Sequence, residues 1–252
     1  MTHVLIATPT AGGVVKSRFA ATLVQVVLAV KDAGWDTTFL TVDSSYVSVA
    51  RNYFANTLLS NAQFTHLVMI DSDMFFEGHI VCRLIRSGKP VVAAAYPGRH
   101  MNFQAFAVAS RRPELSEANR FALALDYTLE PASEPGTRQV KVTDGMCRVN
   151  RIALGCSVIQ RGAFESLIVA GMARLLPDDT AERLGLKGPF YDFFGEMTRE
   201  DGALIGEDFS FCKRWHSMPG NEIWAVVDES IGHVGDMIYG APYLNRLRER
   251  KA

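Results

Sequence analysis

Several features that would assign this sequence to a protein class at once are absent from it. Its four cysteines, in 252 residues, lie far apart and form neither a Cys-x-x-Cys pair nor a zinc-type spacing, which predicts reduced, mostly structural thiols. The longest apolar stretch, residues 19–30, is interrupted by Thr22 and Gln25 and is too short to span a bilayer. No basic region precedes a long apolar core at the amino terminus, so we expect a cytoplasmic protein without a secretory signal.

Strong net charge is also absent. The formal net charge of −1 gives no overall attraction to nucleic acid or anionic lipid, although it leaves room for a local basic patch. The motif Gly-x-x-x-x-Gly-Lys-Ser/Thr does not occur, which excludes a P-loop. What the chain does have is 48% hydrophobic residues, enough to bury a substantial core.

The first hundred residues alternate between strand and helix patterns. The predicted strands and helices, in chain order, are strands 4–7, 36–42, 66–70 and 90–95 and helices 17–33, 46–60 and 77–86. Residues 8–13 read as a loop because of Pro9 and the paired glycines. Four strands alternating with three helices predict a parallel, doubly wound half.

The alternation stops after about residue 96. We expect strands at 103–109, 139–142 and 153–159 without regular helices between them. Helices at 162–170 and 206–215 and a strand at 224–227 complete the prediction. We therefore expect one α/β domain over residues 1–252, divided into residues 1–100 and 101–252.

Two carboxylates end the third predicted strand. Asp71 and Asp73, separated by Ser72, follow the apolar run 67–70, and residues i and i+2 of an extended chain project to the same side. Ligands gather outside the carboxyl ends of buried parallel strands, so this position suits a metal site. A strand end in which Asp and Ser make turns to the backbone explains the same residues.

Two later features complete a possible site. Glu207 and Asp208 open a predicted helix whose bases come later, the polarity that the helix dipole favours. His233 lies between Gly232 and Gly235, where the backbone can turn tightly. Taken singly, the acids are explained as a helix cap and the histidine as a hydrogen-bonded surface residue.

In this order, the three features resemble the GT-A class of nucleotide-sugar glycosyltransferases. The resemblance implies a Rossmann-like, mostly parallel mixed sheet flanked by helices, with residues 1–100 binding the nucleotide and a smaller acceptor-side region in 101–252. It implies Mn²⁺ or Mg²⁺ held by Asp73 and His233, with Asp71 at the ribose or the metal. Asp208, beside Glu207, would be the catalytic base if the enzyme is inverting. Related retaining enzymes share the metal site but need no carboxylate base there, so the stereochemistry stays open.

The resemblance also implies a donor and its contacts. The donor would be a nucleoside-diphosphate sugar, with UDP as the expected nucleotide, carrying a hexose or pentose. Arg51 belongs to an Arg-Asn pair that resembles one in bacterial and phage-type members. The residues expected to border the donor are Thr8, Pro9, Thr10, Arg51, Asp71, Ser72, Gly155 and Gly235. The hydroxyl acceptor stays open between a glycan, a lipid-linked precursor, a protein and a modified DNA base.

Two other functions remain open. A sugar-phosphate nucleotidyltransferase uses a related fold and metal, and residues 11–18 partly echo its Gly-rich, Lys- and Arg-bearing signature. A non-catalytic module that binds nucleotide sugars or glycans would need the same cleft but no base.

Overall fold

The computed structural model describes residues 2–134, 136–137, 139–177 and 179–249. The first part of the chain consists of β1 (His3–Thr10), α1 (Ser17–Asp32), β2 (Asp36–Asp43), α2 (Val47–Ser60), β3 (His66–Ile70), β4 (Met74–Phe75), α3 (His79–Arg86) and β5 (Val91–Ala94). The second part begins with β6 (Pro97–Met101), α4 (Phe103–Ser110), α5 (Glu117–Ala124), β7 (Leu125–Tyr127), β8 (Leu129–Pro131), β9 (Met146–Ile152), β10 (Cys156–Gln160) and α6 (Arg161–Val169). It ends with β11 (Arg174–Leu175), α7 (Asp179–Arg183), β12 (Tyr191–Asp192), β13 (Met197–Thr198), β14 (Leu204–Ile205), α8 (Glu207–His216), β15 (Ile223–Val226), β16 (Gly232–Val234), β17 (Ile238–Gly240) and α9 (Tyr243–Glu249).

An eight-stranded mixed sheet forms the centre of the molecule, in the order β2-β1-β3-β10-β5-β15-β9-β8. β1 pairs in parallel with β2 and β3, and β5 pairs in parallel with β15. β10 runs antiparallel between β3 and β5, and β9 runs antiparallel between β15 and β8. Most strands therefore share one direction, and the expected α/β fold with a largely parallel sheet flanked by helices is confirmed.

Helices cover both faces of this sheet because successive strand residues point to opposite sides. In β3, Leu67 and Met69 join the core beneath α2, α6 and α8, whereas Val68 and Ile70 join the core beneath α1 and α3. All four residues of that run are fully buried. The continuous apolar run before the two aspartates is therefore that of a central strand.

Several predicted elements in the second part of the chain are wrong. Residues 103–109, expected as a strand, form α4, which the Asn102 side chain caps by accepting a hydrogen bond from the Ala105 amide at 2.9 Å. A short apolar run fits a helix or a strand equally well, and the cap favours the helix. With α5 following, the expectation of no regular helices in this region also fails.

Strand boundaries differ from the expectation at three further places. No strand occurs at 139–142; the strand in this region is β9, which begins at Met146. The strand expected at 153–159 is β10 and begins only at Cys156. The loop expected from residue 8 begins after Thr10, since residues 8–10 still pair with residues 41–43 of β2.

No helix in the described ranges is long and apolar enough to cross a membrane.

Candidate functional site

A cleft of about 540 Å³ opens at the carboxyl ends of β1, β2 and β3. Its walls come from the end of β1 and the loop after it, from the residues after β2, and from the turn after β3. The residues that line it are Pro9, Thr10, Ala11, Val14, Val15, Lys16, Ser44, Ser45, Val47, Asp71, Ser72, Asp73, Arg99 and His233. Open α/β sheets bind ligands at this edge, so the cleft is the candidate functional site.

A hydrogen-bonded turn holds the two aspartates that follow β3. The Asp71 amide donates to the Gly155 carbonyl at 2.9 Å, and the Met74 amide donates to the Asp71 carbonyl at 3.0 Å. The Lys16 amide donates to the Ser72 carbonyl at 3.0 Å, which ties the loop after β1 to the turn. The turn is thus fixed by its own hydrogen bond and by backbone from two other parts of the chain.

His233 reaches the same turn from the far end of the chain. β16 pairs antiparallel with β4, placing His233 opposite Met74, and the Val234 amide donates to the Asp73 carbonyl at 2.8 Å. This pairing brings His233 Nε2 to 3.3 Å from Asp73 Oδ2. The fold therefore joins the two residues that the resemblance made metal ligands.

The other ring nitrogen of His233 fixes its orientation. Nδ1 lies 3.0 Å from the Pro97 carbonyl oxygen, which can only accept, so Nδ1 carries the proton and donates it. Nε2 is then the ring nitrogen that faces Asp73, and a carbonyl behind a histidine is the usual support for a metal-ligating imidazole.

Arg99 also contacts the Asp73 carboxylate. Its Nη1 lies 3.2 Å from Oδ2, the same oxygen that faces His233. Burial of Asp73 opposes its ionisation, but the hydrogen bond and charge of His233 and the charge of Arg99 outweigh it, so the pKa of Asp73 lies below its ordinary value. Burial notwithstanding, the lowered pKa favours the ionised form of Asp73, which faces the Arg99 guanidinium.

Behind the cleft, the buried guanidinium of Arg51 joins three carboxylates. Arg51 is 1% exposed and lies with Nη2 3.3 Å from Asp71 Oδ1 and with Nε 3.0 Å from Asp208 Oδ1 and 3.5 Å from Glu207 Oε1. Burial alone would lower the pKa of Arg51, but the three carboxylates raise it above its ordinary value. Arg51 therefore stays charged and couples the turn after β3 to the start of α8.

Asp208 is half-buried at the start of α8. Its Oδ2 accepts a hydrogen bond from the Leu154 amide at 3.0 Å. Burial, opposed chiefly by Arg51, raises the pKa of Asp208 to about 7. Burial also raises the pKa of Asp71, again with Arg51 opposing it. Asp208 can thus gain or lose a proton near neutral pH.

The predicted donor contacts divide between the cleft and the structure behind it. Pro9, Thr10, Asp71 and Ser72 line the cleft as expected. Thr8 is fully buried within β1 and is not among the lining residues.

Arg51 also lies behind the cleft instead of facing it, bound to its three carboxylates. Its neighbour Asn52 has a structural role, since its side chain donates to Asp192 Oδ1 at 2.8 Å and accepts from the Phe193 and Phe194 amides. Both residues of the Arg-Asn pair are therefore buried and hold other parts of the fold in place.

Gly155 and Gly235, the two glycines among the predicted donor contacts, matter because they have no side chain. A Cβ at Gly155 would lie 2.4 Å from Asp71 Oδ2 and 2.5 Å from the Tyr96 hydroxyl oxygen. A Cβ at Gly235 would lie 3.2 Å from the Arg99 Cδ. Neither glycine lines the cleft, but both let neighbouring side chains approach it.

Two side chains in the cleft, Asp73 and His233, are suited to bind a metal. Among the described residues, no group of three or more His, Cys, Asp or Glu side chains is arranged to hold a metal ion. Asp71, the third expected ligand, has its Oδ1 directed at Arg51. The Asp73 carboxylate and the His233 imidazole fit Mn²⁺ better than Mg²⁺, provided that a ligand or water fills the other positions.

Sequence patterns missed several lining residues. Ser44 and Ser45 follow β2, and the pairing of β2 with β1 was the signal that could have placed them at the same sheet edge. Lys16 lies in the loop that is tied to Ser72, within the segment 11–18 that partly echoes the nucleotidyltransferase signature. Arg99 lies in β6 and has no local pattern that assigns it to this cleft.

Comparisons with known proteins do not assign the chain to a family. No family model matches it, and no curated protein is similar to it in sequence. The crystal structure of A197 from STIV is similar to it at a TM-score of 0.47 and 15% sequence identity, over 94% of this chain and 87% of that one. Similarity at that level carries no conclusion about activity.

Proposed function

We propose that the protein is a metal-dependent glycosyltransferase of the GT-A class that moves a sugar from a nucleoside-diphosphate sugar to a hydroxyl acceptor. The observation that carries this proposal is the 3.3 Å approach of His233 Nε2 to Asp73 Oδ2 on the wall of the cleft. A helix cap or a strand end explains neither the approach nor the carbonyl that orients the histidine.

The cleft has the size and lining for such a donor. Its volume of about 540 Å³ lies within the roughly 300–1,000 Å³ of small-molecule sites. Thr10, Ser44 and Ser45 supply hydroxyl groups for the ribose and base, while Lys16 and Arg99 supply positive charge for a diphosphate.

Asp73 and His233 would hold the metal. When bound, Mn²⁺ or Mg²⁺ neutralises the negative charge of the departing nucleoside diphosphate as a Lewis acid. Asp73 would contribute a charged ligand, since its pKa is below the ordinary value, and His233 would contribute Nε2, whose orientation the Pro97 carbonyl fixes. Asp71, held by Arg51, keeps the turn in place and lines the cleft.

Asp208 would take the proton from the acceptor hydroxyl. A base works best when its pKa is close to the operating pH, and burial brings that of Asp208 to about 7. Arg51 stabilises the ionised form that accepts the proton, and the Leu154 amide orients the carboxylate. Glu207 shares Arg51 and adds negative charge that favours proton uptake by Asp208.

Two isosteric variants test this assignment. A screen of nucleotide sugars with Mn²⁺ should identify a donor that stabilises the protein against heat and is slowly hydrolysed. Asp73→Asn should abolish metal-dependent donor binding, whereas Asp208→Asn should keep that binding and lose transfer. Asp126→Asn, at an exposed position of β7, is the control and should behave as the wild type. Donor binding that survives Asp73→Asn without metal would refute the proposal.

The same screen decides between the alternatives. Lys16 in the cleft favours a sugar-phosphate nucleotidyltransferase as the second candidate, because a lysine suits a triphosphate. Release of pyrophosphate from a nucleoside triphosphate and a sugar-1-phosphate would establish that reaction. Donor binding without hydrolysis or transfer to any acceptor would indicate a non-catalytic module.

A further inference from the structure

A second cleft, of about 690 Å³, lies along the outer face of α8. Phe209, Lys213, His216 and Ser217 of α8 line it, at the spacing that places residues on one side of a helix. β9 closes it on one side, and the segment from Arg199 to Ile205, which includes β14, contributes the other. None of its lining residues belongs to the cleft at the ends of β1 to β3.

This second cleft is positively charged although the whole chain carries −1. Arg151, Arg199 and Lys213 line it, against the carboxylate of Glu130. Glu130 is already bound, with Oε2 2.9 Å from Arg151 Nε and Oε1 accepting from the Asn150 amide group at 3.1 Å. Three permanent cations therefore face a space in which the single lining carboxylate is already engaged.

Lys213 has no counter-charge within the described ranges. Its ammonium group makes no ion pair or hydrogen bond there, and Lys213 is exposed. The Arg199 guanidinium pairs with Asp201 at 3.3 Å, and both of those side chains are more than half exposed, so their pairing is weak. The side chains of Lys213 and Arg199 can therefore reorient toward a ligand at little cost in free energy.

Arg151 is held in position by an aromatic ring. Its guanidinium lies over the Phe209 ring, 4.8 Å from the centroid, while Nε contacts Glu130. These two contacts leave its terminal nitrogens for a ligand. A fixed guanidinium beside two adaptable cations suits a phosphate group, which guanidinium binds through paired hydrogen bonds.

The position of the cleft relates it to Asp208. Phe209 follows Asp208 in α8, and the lining residues extend to Ser217, about 12 Å along the helix at 1.5 Å per residue. An acceptor bound in this cleft would contact Phe209, the residue that follows the candidate base, while Asp208 itself lines neither cleft.

We propose that this cleft is the acceptor subsite and that it binds a phosphate group of the acceptor. The acceptor role rests on the proposed function, whereas the anion binding rests only on Arg151, Arg199 and Lys213. The space holds one or two phosphate groups with the adjoining part of an acceptor. The acceptor would thus be a small phosphorylated molecule whose phosphate meets Arg151, Arg199 and Lys213.

Calorimetric titration with inorganic pyrophosphate in the presence of EDTA tests the anion site. Removal of metal ions removes the metal-dependent contribution of the first cleft. We expect the double variant Lys213→Gln/Arg199→Gln to bind pyrophosphate about tenfold more weakly than the wild type. Lys31→Gln, which removes an exposed lysine at the end of α1, is the matched control and should bind as the wild type.

Three results would overturn the anion site: no binding by the wild type, equal binding by the double variant, or an equal loss in the Lys31 control. Circular dichroism of each variant excludes misfolding as the cause of a loss. A single-stranded oligonucleotide is titrated in parallel. Oligonucleotide binding that is tighter than pyrophosphate binding and equally dependent on Lys213 and Arg199 would overturn the small acceptor in favour of nucleic acid.

Wild-type donor hydrolysis with Mn²⁺ separates this inference from the proposed function. Hydrolysis without Lys213-dependent pyrophosphate binding refutes the anion site and leaves the transferase intact. Pyrophosphate binding without hydrolysis of any donor refutes the acceptor role, and the cleft is then an anion site of another function.

Discussion

Replacing Arg51 by methionine removes the cation that three carboxylates share. At an effective dielectric constant of about 20, Coulomb's law gives roughly 5 kcal/mol for each contact at these distances. Desolvation of the guanidinium and repulsion among the carboxylates offset most of that attraction. Loss of one partner of a buried ion pair costs about 3–5 kcal/mol, because a charge is left uncompensated. We expect Arg51→Met to lower the free energy of unfolding by that amount at about pH 8.

The loss should shrink as the pH falls. Burial raises the pKa of Asp208 to about 7 in the folded protein, above the ordinary value of 3.8 for this side chain. Between these values the folded protein holds a proton that the unfolded chain lacks, so the wild-type stability from Asp208 falls as pH rises through this window. Without Arg51 the folded-state pKa rises further and the window extends upward. The variant therefore loses less stability at about pH 5, where Asp208 is protonated in both proteins.

Urea unfolding at the two pH values measures the effect. Arg83→Met is the matched control, because Arg83 bridges Asp228 and Glu229 while its side chain is 29% exposed. It should lose only about 1 kcal/mol, as partly solvated ion pairs do. An Arg51→Met variant as stable as the wild type at the higher pH, or equally destabilised at both, would refute the role given to this arginine.

Three further predictions concern the same structure. Gly155→Ala forces a Cβ against the Asp71 carboxylate and should lower the free energy of unfolding in urea by about 1–3 kcal/mol. Gly162→Ala is the control and should not destabilise the protein, because the space around Gly162 is open. Equal stabilities of the two variants would contradict the close packing at Gly155. Arg99→Ala should raise the affinity for Mn²⁺ without donor a few-fold by electron paramagnetic resonance, roughly as removal of one nearby cation does, since Arg99 faces Asp73; weaker binding would show that it supports the metal. Because the cysteines are buried and burial raises each thiol pKa, iodoacetamide should label none natively and all in urea by mass spectrometry; native labelling would contradict the burial.

The first part of the fold was predictable because its elements are local. Strand patterns at 36–42 and 66–70 and the helices between them follow from hydrophobic period and glycine stops, and the structure places β2 and β3 there. The second part was less predictable, because its short apolar runs fit more than one structure. α4 shows this, since its first-turn cap and not its apolar content separates it from a strand.

Chain order also concealed the arrangement of the sheet. β10 is a strand of the second part of the chain, yet it lies between β3 and β5 of the first. Pairing between strands that are so far apart in the chain leaves no local pattern in the sequence. For the same reason, the serines after β2 could be assigned to the cleft only after β2 was known to pair with β1.

By itself, the sequence determined that two carboxylates follow a buried strand and where that strand ends. A continuous apolar run must be buried, so Asp71 and Asp73 had to emerge at the edge of a central strand. Only the tertiary structure decided what each carboxylate faces. The pairing of β4 with β16 places Asp73 beside His233. The packing of α2 beneath the turn places Asp71 beside Arg51, which also contacts Asp208. Contacts between distant segments depend on how helices and strands pack, and that packing also created the basic cleft along α8.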